Sequence, residues 1–254
     1  MEKIIFKSGE NIVIPLGDDF SVNLIWCQPG RFNISINSSK TAYETYNYSV
    51  EFTEGFWMSE TLMTEQVWFF FFNEYHDKYL SHSEEDFDYP LATMSYKEVT
   101  KLLNQFRELP QLKIENVFIG LPNFMEWEYV ARAGTQEGYF FGTDEQKFAE
   151  YAWYRGNNDN TGGVKIKAKK PNPWGFYDLF GYVSEYCYDV DFENGTNNLL
   201  VNPKSQTEID VSLPIKGGNY DSKFGEFLTD KITYSNVKNH FNDEIGMRLL
   251  VKYL

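Results

Sequence analysis

Cysteine is nearly absent from this sequence: Cys27 and Cys187 are its only two in 254 residues. A pair so widely separated is neither the framework of a disulfide-stapled secreted domain nor a Cys-x-x-Cys metal knuckle, so two buried, reduced thiols are expected. Histidine is as scarce, with His76, His82 and His240 alone. Basic residues are few, and 23 Lys and Arg against 37 Asp and Glu leave a net charge of −14. Such a field repels phosphate backbones and anionic lipid, which argues against nucleic acid and membrane as partners. The one basic cluster, Lys165, Lys167, Lys169 and Lys170, alternates with Ile and Ala and reads as a solvated face. No apolar run approaches the ~20 residues of a membrane span, and the N-terminus lacks a signal layout; a cytoplasmic location is expected. The sequons at Asn37 and Asn194 then carry no meaning, because glycan acceptors matter only on the secretory route.

What the chain does have is apolar material, 42% hydrophobic and 18% aromatic residues, enough for a core that needs no disulfide or metal. No linker rich in Pro, Ser or Gly interrupts it, so residues 1–254 are expected to form a single domain. The first sixty residues hold a β-branched run from Ile12 to Ile14. Alternating segments follow at Ser21 to Leu24, Phe32 to Ile36 and Tyr46 to Phe52, with turns at Gly17 and Pro29-Gly30. Short antiparallel strands are predicted there. An aromatic run from Glu65 through Phe72, continuing to Tyr79, fits a buried helix. Ser95 with Glu98 forms a capping box ahead of Val99, Leu102, Leu103 and Phe106, which share one helical face until Pro110. Asn123 with Glu126 repeats the device, with Gly134 at the far end. Beyond Gly134 the recurrence of Gly, Asn, Pro and Tyr predicts long ordered loops and short strands.

Residues 121–134 read Leu-Pro-Asn-Phe-Met-Glu-Trp-Glu-Tyr-Val-Ala-Arg-Ala-Gly. They resemble the Leu-Pro-Thr-Glu-Ala-Glu-Trp-Glu-Tyr-Ala-Ala-Arg-Gly-Gly signature of the formylglycine-generating enzyme, or sulfatase-modifying factor, family. Further blocks occur in the family's order. Phe56-Trp57-Met58 to Thr64 stands for the segment ending Glu-Val-Thr, and Tyr89-Pro90-Leu91 to Ser95-Tyr96 for its helix entry. Asn172 to Cys187 is similar to Asn-x-x-Gly-Leu-Tyr-Asp-Met-x-Gly-Asn-Val-Trp-Glu-Trp-Cys. Gly217-Gly218-Asn219-Tyr220 stands for Gly-Gly-Ser-Trp, and Gly246-Met247-Arg248-Leu249 for Gly-Phe-Arg-Leu. The fold implied is α+β, the family's variant of the C-type lectin fold. Little regular structure is expected in it, with short antiparallel strands and about three helices. From the residues alone, Trp127, Trp174 and Tyr186 read as core anchors, and Arg132 and Arg248 as struts paired to acidic neighbours.

The departures bear on function. The resemblance implies copper held by two cysteines between the Gly-Gly-Ser-Trp and Gly-Phe-Arg blocks, and this chain has no cysteine between Gly218 and Gly246. Cu(I) needs soft thiolates, so neither copper binding nor formylglycine formation is expected. The related iron-dependent sulfoxide synthases use three histidines; His76 and His82 lie among acidic and polar residues instead. The family's hard-cation site falls on Asp178, Gly181, Val183 and Glu185, which the resemblance assigns to calcium. The expected function is a non-catalytic binding module, a pseudoenzyme resembling the variable proteins of diversity-generating retroelements. Its partner, a protein or small ligand, would meet the 219–244 segment through Tyr220, Asp221, Lys223, Phe224, Phe227, Tyr234, Asn236, Asn239 and Asn242, a mix suited to a contact surface. The alternative is a metal-dependent oxidoreductase, using iron or copper on a thiol or peptide, with His240 and Asp243 or Glu244 at its centre.

Overall fold

A computed structural model describes residues 4–37, 45–77, 87–136, 139–157, 163–192, 198–208, 212–226, 232–236 and 244–254, and in it the alternating N-terminal segments are strands. β1 (Ile12–Pro15) pairs antiparallel with β2 (Ser21–Cys27), as Leu16 and Gly17 both donate to the Phe20 carbonyl in the turn between them. β3 (Gly30–Asn37) and β4 (Thr45–Phe52) form a second antiparallel pair. Period-two alternation buries Phe32, Ile34 and Ile36 on one face and leaves Arg31, Asn33 and Ser35 outside. β5 (Phe56–Ser59) is buried along its whole length, because β2 pairs on one side of it and the C-terminal strand on the other.

α1 (Glu65–Phe72) is the aromatic helix, and it stops earlier than the run to Tyr79 predicts. Asn73 turns left-handed at φ 52° and donates back to Phe69, and the Glu65 carboxylate then accepts the backbone N–H groups of His76 and Asp77. A short polar residue that tolerates positive φ ends the helix where composition alone would continue it. α2 (Tyr96–Glu108) has the predicted capping box: Ser95 Oγ accepts from the Glu98 N–H while the Glu98 carboxylate accepts from Ser95. Val99, Leu102, Leu103 and Phe106 are its buried stripe. A 3-10 turn at Pro110–Leu112 leads to β6 (Val117–Gly120).

α3 (Phe124–Arg132) starts at the second capping box, in which Asn123 Oδ1 accepts from both Met125 and Glu126 at 3.0 and 2.9 Å. All nine of its residues are buried, so charged side chains on this helix must find partners inside the protein. A fourth helix, α4 (Glu145–Tyr151), lies where long loops and short strands are expected. Asp144 caps it by accepting the Gln146 N–H, and Phe148 anchors it.

The remaining strands are short. β7 (Ser184–Tyr186) is central in a four-stranded sheet, between β11 (Ser212–Lys216) and β13 (Ile245–Gly246), with β12 (Thr233–Asn236) beyond β11. β8 (Asp189–Val190) pairs with β10 (Ser205–Gln206), and β9 (Leu199–Val201) joins β4 in parallel. β14 (Leu250–Tyr253) enters between β5 and β6, closing the five-stranded sheet β1-β2-β5-β14-β6. The C-terminal segment thus completes two sheets, through β13 and β14, with Arg248 between them. Two hydrophobic clusters flank this arrangement, one around Phe32, Phe124, Trp127 and Phe180, the other around Trp57, Leu102, Tyr186 and Leu249.

Asn123 also donates through Nδ2 to the Pro203 carbonyl at 3.0 Å, so the cap residue holds the β9–β10 connection as well as α3. Asn123→Ala is expected to lower stability in urea unfolding by about 2 kcal/mol, the upper end for a lost cap. A loss under about 0.5 kcal/mol, as for an exposed cap in a peptide, would show that α3 does not rely on it.

Candidate functional site

The stretch from Asn172 to Glu185 is organised by its polar side chains and by left-handed backbone. Asn172 Oδ1 accepts from the Trp174 and Phe176 N–H groups, both at 3.0 Å, while its Nδ2 donates to the Val130 carbonyl of α3 at 2.8 Å. Asp178, Gly181 and Tyr182 take φ values of 55°, 72° and 65°, which coil the chain before it straightens into β7. Gly181 has no substitute here, since a Cβ would lie 2.0 Å from the Trp153 carbonyl oxygen.

The coil delivers Glu185 to the centre of the molecule, where neither it nor Arg248 is exposed at all. Arg248 Nε lies 2.9 and 3.0 Å from the two carboxylate oxygens, and the Trp127 indole N–H donates to the second at 2.8 Å. The rest of the guanidinium is shared among backbone carbonyls: Nη1 donates to Ser59 and Glu60 at 3.2 and 2.8 Å, and Nη2 donates to Tyr177. Burial pushes the Glu185 carboxyl above its ordinary range, while the guanidinium and the indole pull it back. A glutamate here has a structural rationale, because an acceptor-only carboxylate serves the two N–H groups that reach it, the Arg248 Nε–H shared by both oxygens and the Trp127 indole.

The four residues assigned to calcium by resemblance lie along this one coil and strand, and three of them have oxygens that already accept hydrogen bonds. Asp178 Oδ2 accepts from the Lys167 N–H at 2.8 Å, the Gly181 carbonyl from Val183 at 2.9 Å, and both Glu185 oxygens serve Arg248. A divalent ion at Glu185 would sit against the guanidinium charge already bonded to both carboxylate oxygens. These side chains therefore do not fit a calcium ion held through Glu185. Among the described residues, no group of three or more His, Cys, Asp and Glu side chains is placed to hold a metal ion. His82, His240 and Asp243 lie outside the described residues; His76 packs edge-on against Trp68, its ring nitrogen 3.6 Å from Glu98.

The other charges of α3 are matched in the same way. Glu128 pairs with Arg132 at 2.7 Å and with Lys216 at 3.1 Å, and Glu126 serves the capping box and Lys252. Arg132 also donates to the Asn33 carbonyl on the outer edge of β3, closing part of an edge that could template another strand. The reading of Arg132 and Arg248 as paired struts matches this geometry. Cys27 and Cys187 are free and buried, with burial pushing both thiols well above their usual range.

Of the nine residues expected at a contact surface, six are described. Asp221, Lys223 and Asn236 are exposed, and Tyr220 is half-buried. Phe224 turns inward, its ring 5.3 Å from Phe148, and Tyr234 donates to Asp189 at 3.1 Å from a half-buried position. Phe227, Asn239 and Asn242 lie outside the described residues. Three further residues hold this surface: Arg155, which the sequence did not single out, and Glu244 and Asn219, which it named in other roles. Arg155 pairs with Asp221 at 2.8 Å, its N–H donating to the Ser222 carbonyl; Glu244 bonds the Tyr220 hydroxyl; Asn219 accepts from Ser222. Arg155 carries no local signal, since its partner is 66 residues away. Two clefts, of about 270 Å³ beside Lys252 and Tyr253 and about 240 Å³ beside Glu60 and Lys167, lie away from this segment.

Residues 21–253 match the Sulfatase-modifying factor enzyme 1-like domain family. No curated protein matches the sequence. Among solved structures, the fold is similar to Treponema denticola variable protein 1, with TM-score 0.72 and 16% identity over 94% of this chain and 98% of that one. PvdO from Pseudomonas aeruginosa is similar at TM-score 0.72 and 17% identity, over 98% of this chain and 100% of that one. CarF is similar at TM-score 0.60 and 16% identity, over 92% and 98%.

The bond to Glu244, with partial burial, pushes the Tyr220 phenol up to about 12. A raised folded value means that the contact contributes fully below the ordinary tyrosine value of about 10 and is lost as pH passes the folded one. In an NMR titration of isotope-labelled tyrosine, with the Tyr220 signal identified by its loss in Tyr220→Phe, Glu244→Gln is expected to move that midpoint down toward about 10. An unchanged midpoint would show that the Glu244 contact does not set it.

Proposed function

Because the chain belongs to the sulfatase-modifying factor enzyme 1-like domain family, we propose that it is a non-catalytic member, a lectin-fold module that binds a protein or small ligand through its 219–244 segment. The observation that carries this reading is the chemistry of that segment. It holds no cysteine, and the two thiols elsewhere in the chain are buried and held protonated by burial. A Cu(I) centre requires accessible thiolates, and the remaining side chains do not replace them.

The contrast between scaffold and segment supports binding. Arg248, Glu185 and Trp127 are buried and internally paired, with β5 and β7 buried beside them, whereas Asp221 and Lys223 project from the turn after Tyr220 and Asn236 from the end of β12. Function placed on loops over a rigid scaffold is a general arrangement, and Tyr beside Asn and Asp suits a contact surface. The likeness to a variable protein is in keeping with a diversified surface of the retroelement type, and we take the segment as the region where such variation would fall. A net charge of −14 favours a protein or small ligand over nucleic acid, and no described helix is long and apolar enough to cross a membrane.

Two measurements test the reading. Incubation with copper and a Cys-x-Pro-x-Arg peptide is expected to leave the peptide cysteine unmodified by mass spectrometry, and stoichiometric conversion to the aldehyde would contradict a non-catalytic role. Against a ligand bound by the wild type, Asp221→Asn and Lys223→Ala, at exposed positions, are expected to weaken binding at unchanged melting temperature, at least one of them by about 1 kcal/mol or more. Phe224→Ala, which empties a place in the aromatic cluster, is expected to lower the melting temperature instead. Full affinity in both surface variants would remove the segment from the interface.

A further inference from the structure

The Arg248 guanidinium is enclosed by oxygen atoms in the way a bound cation is. Both Glu185 oxygens approach one edge at 2.9 and 3.0 Å, and the Ser59, Glu60 and Tyr177 carbonyls receive its other donors. The Ser59 carbonyl ends β5 and the Glu60 carbonyl follows it, the Tyr177 carbonyl belongs to the coil before β7, and the carboxylate lies on β7 itself. Five oxygens from three separate segments surround the three guanidinium nitrogens, and Asp178 adds a nearby negative charge that Arg248 offsets. An oxygen-only set including a carboxylate is what a hard cation such as calcium takes. In this chain the place is filled covalently.

We infer that Arg248 is the resident cation of this cluster, so that the oxygen cradle is a guanidinium-binding site and the fold does not depend on a divalent ion at Glu185. Three consequences follow from the geometry. A planar donor set with a fixed fork fills acceptor directions that a lysine ammonium cannot span. The segments that build the cradle also have partners besides the arginine: β5 has its neighbours β2 and β14, the coil has Asn172, and β7 has β11 and β13. Removal of the side chain beyond Cβ therefore leaves a polar cavity with the shape and charge of its former occupant. This inference concerns the scaffold and is independent of the partner proposed for the 219–244 segment.

Metal-free full-length protein tests it. Wild type is expected to melt at the same temperature in calcium and in chelator, and to give no calorimetric calcium heat that depends on Glu185. Arg248→Ala is expected to melt earlier and to regain part of the loss on adding millimolar guanidinium or methylguanidinium chloride, at concentrations that leave wild type unchanged. Arg248→Lys is expected to remain destabilised, because charge alone does not reproduce the fork. A wild-type calcium stabilisation that Glu185→Gln abolishes would overturn the inference, and so would a folded Arg248→Ala protein indifferent to guanidinium. If Arg248→Ala does not fold, the wild-type and Glu185→Gln calcium measurements decide alone.

Discussion

One buried ion pair sets the terms for the rest of this molecule. Glu185 and Arg248 are 63 residues apart in sequence and both without exposure, and their contact joins the coil after Asn172 to the last strands of the chain. Removing either partner leaves a charge in a medium that cannot solvate it, at a cost of roughly 3–5 kcal/mol. The pair is retained only with its hydrogen bonds complete, and the structure completes them through Trp127 from α3 and carbonyls from β5 and the Tyr177 turn. Four parts of the chain thereby meet at one hydrogen-bonded centre.

That constraint explains how a chain with so little regular structure can present an ordered surface. Many of its strands have five residues or fewer, and a long connection from Ala152 to β7 contains no helix among its described residues. Loops of that length cost conformational entropy that short strands cannot offset alone. Here the cost is met by internal polar contacts, with Asn172 bridging α3 and its own turn, and by aromatic packing of Tyr139, Phe148, Phe180 and Phe224. Phe224 belongs to both the aromatic cluster and the proposed contact segment, so the surface is mechanically continuous with the core.

Much of the frame was legible in the sequence, wherever a local rule governs. Ser95 with Glu98 and Asn123 with Glu126 marked the starts of α2 and α3, a β-branched run marked β1 and alternation marked β2 to β4, because caps and period-two burial are read within a few residues. The family blocks pointed to the fold for the same reason. The end of α1 at Asn73 was not legible, since the aromatic run offers no breaker except a residue that also tolerates helix. The helix after Asp144 was hidden among aromatics, although Asp144 ahead of Glu145 and Gln146 was a usable capping signal. The partners of Glu185, Asp221 and Tyr220 were beyond reach, because each lies dozens of residues or more away, or in a different loop, and no spacing rule connects them. The assignment of Glu185 to a calcium ion followed the family pattern, whereas the geometry gives both its oxygens to Arg248.

The account's central claim is that Glu185 and Arg248 act as one unit at the core of the scaffold, and a double-mutant cycle measures this directly. Urea unfolding of wild type, Glu185→Gln, Arg248→Met and the double variant gives the coupling free energy between the two side chains. The structure predicts a coupling of about 2–3 kcal/mol, with the double variant far less destabilised than the sum of the single ones. Additivity to within about 0.5 kcal/mol would mean that the two groups are held by their surroundings independently, and would contradict the account.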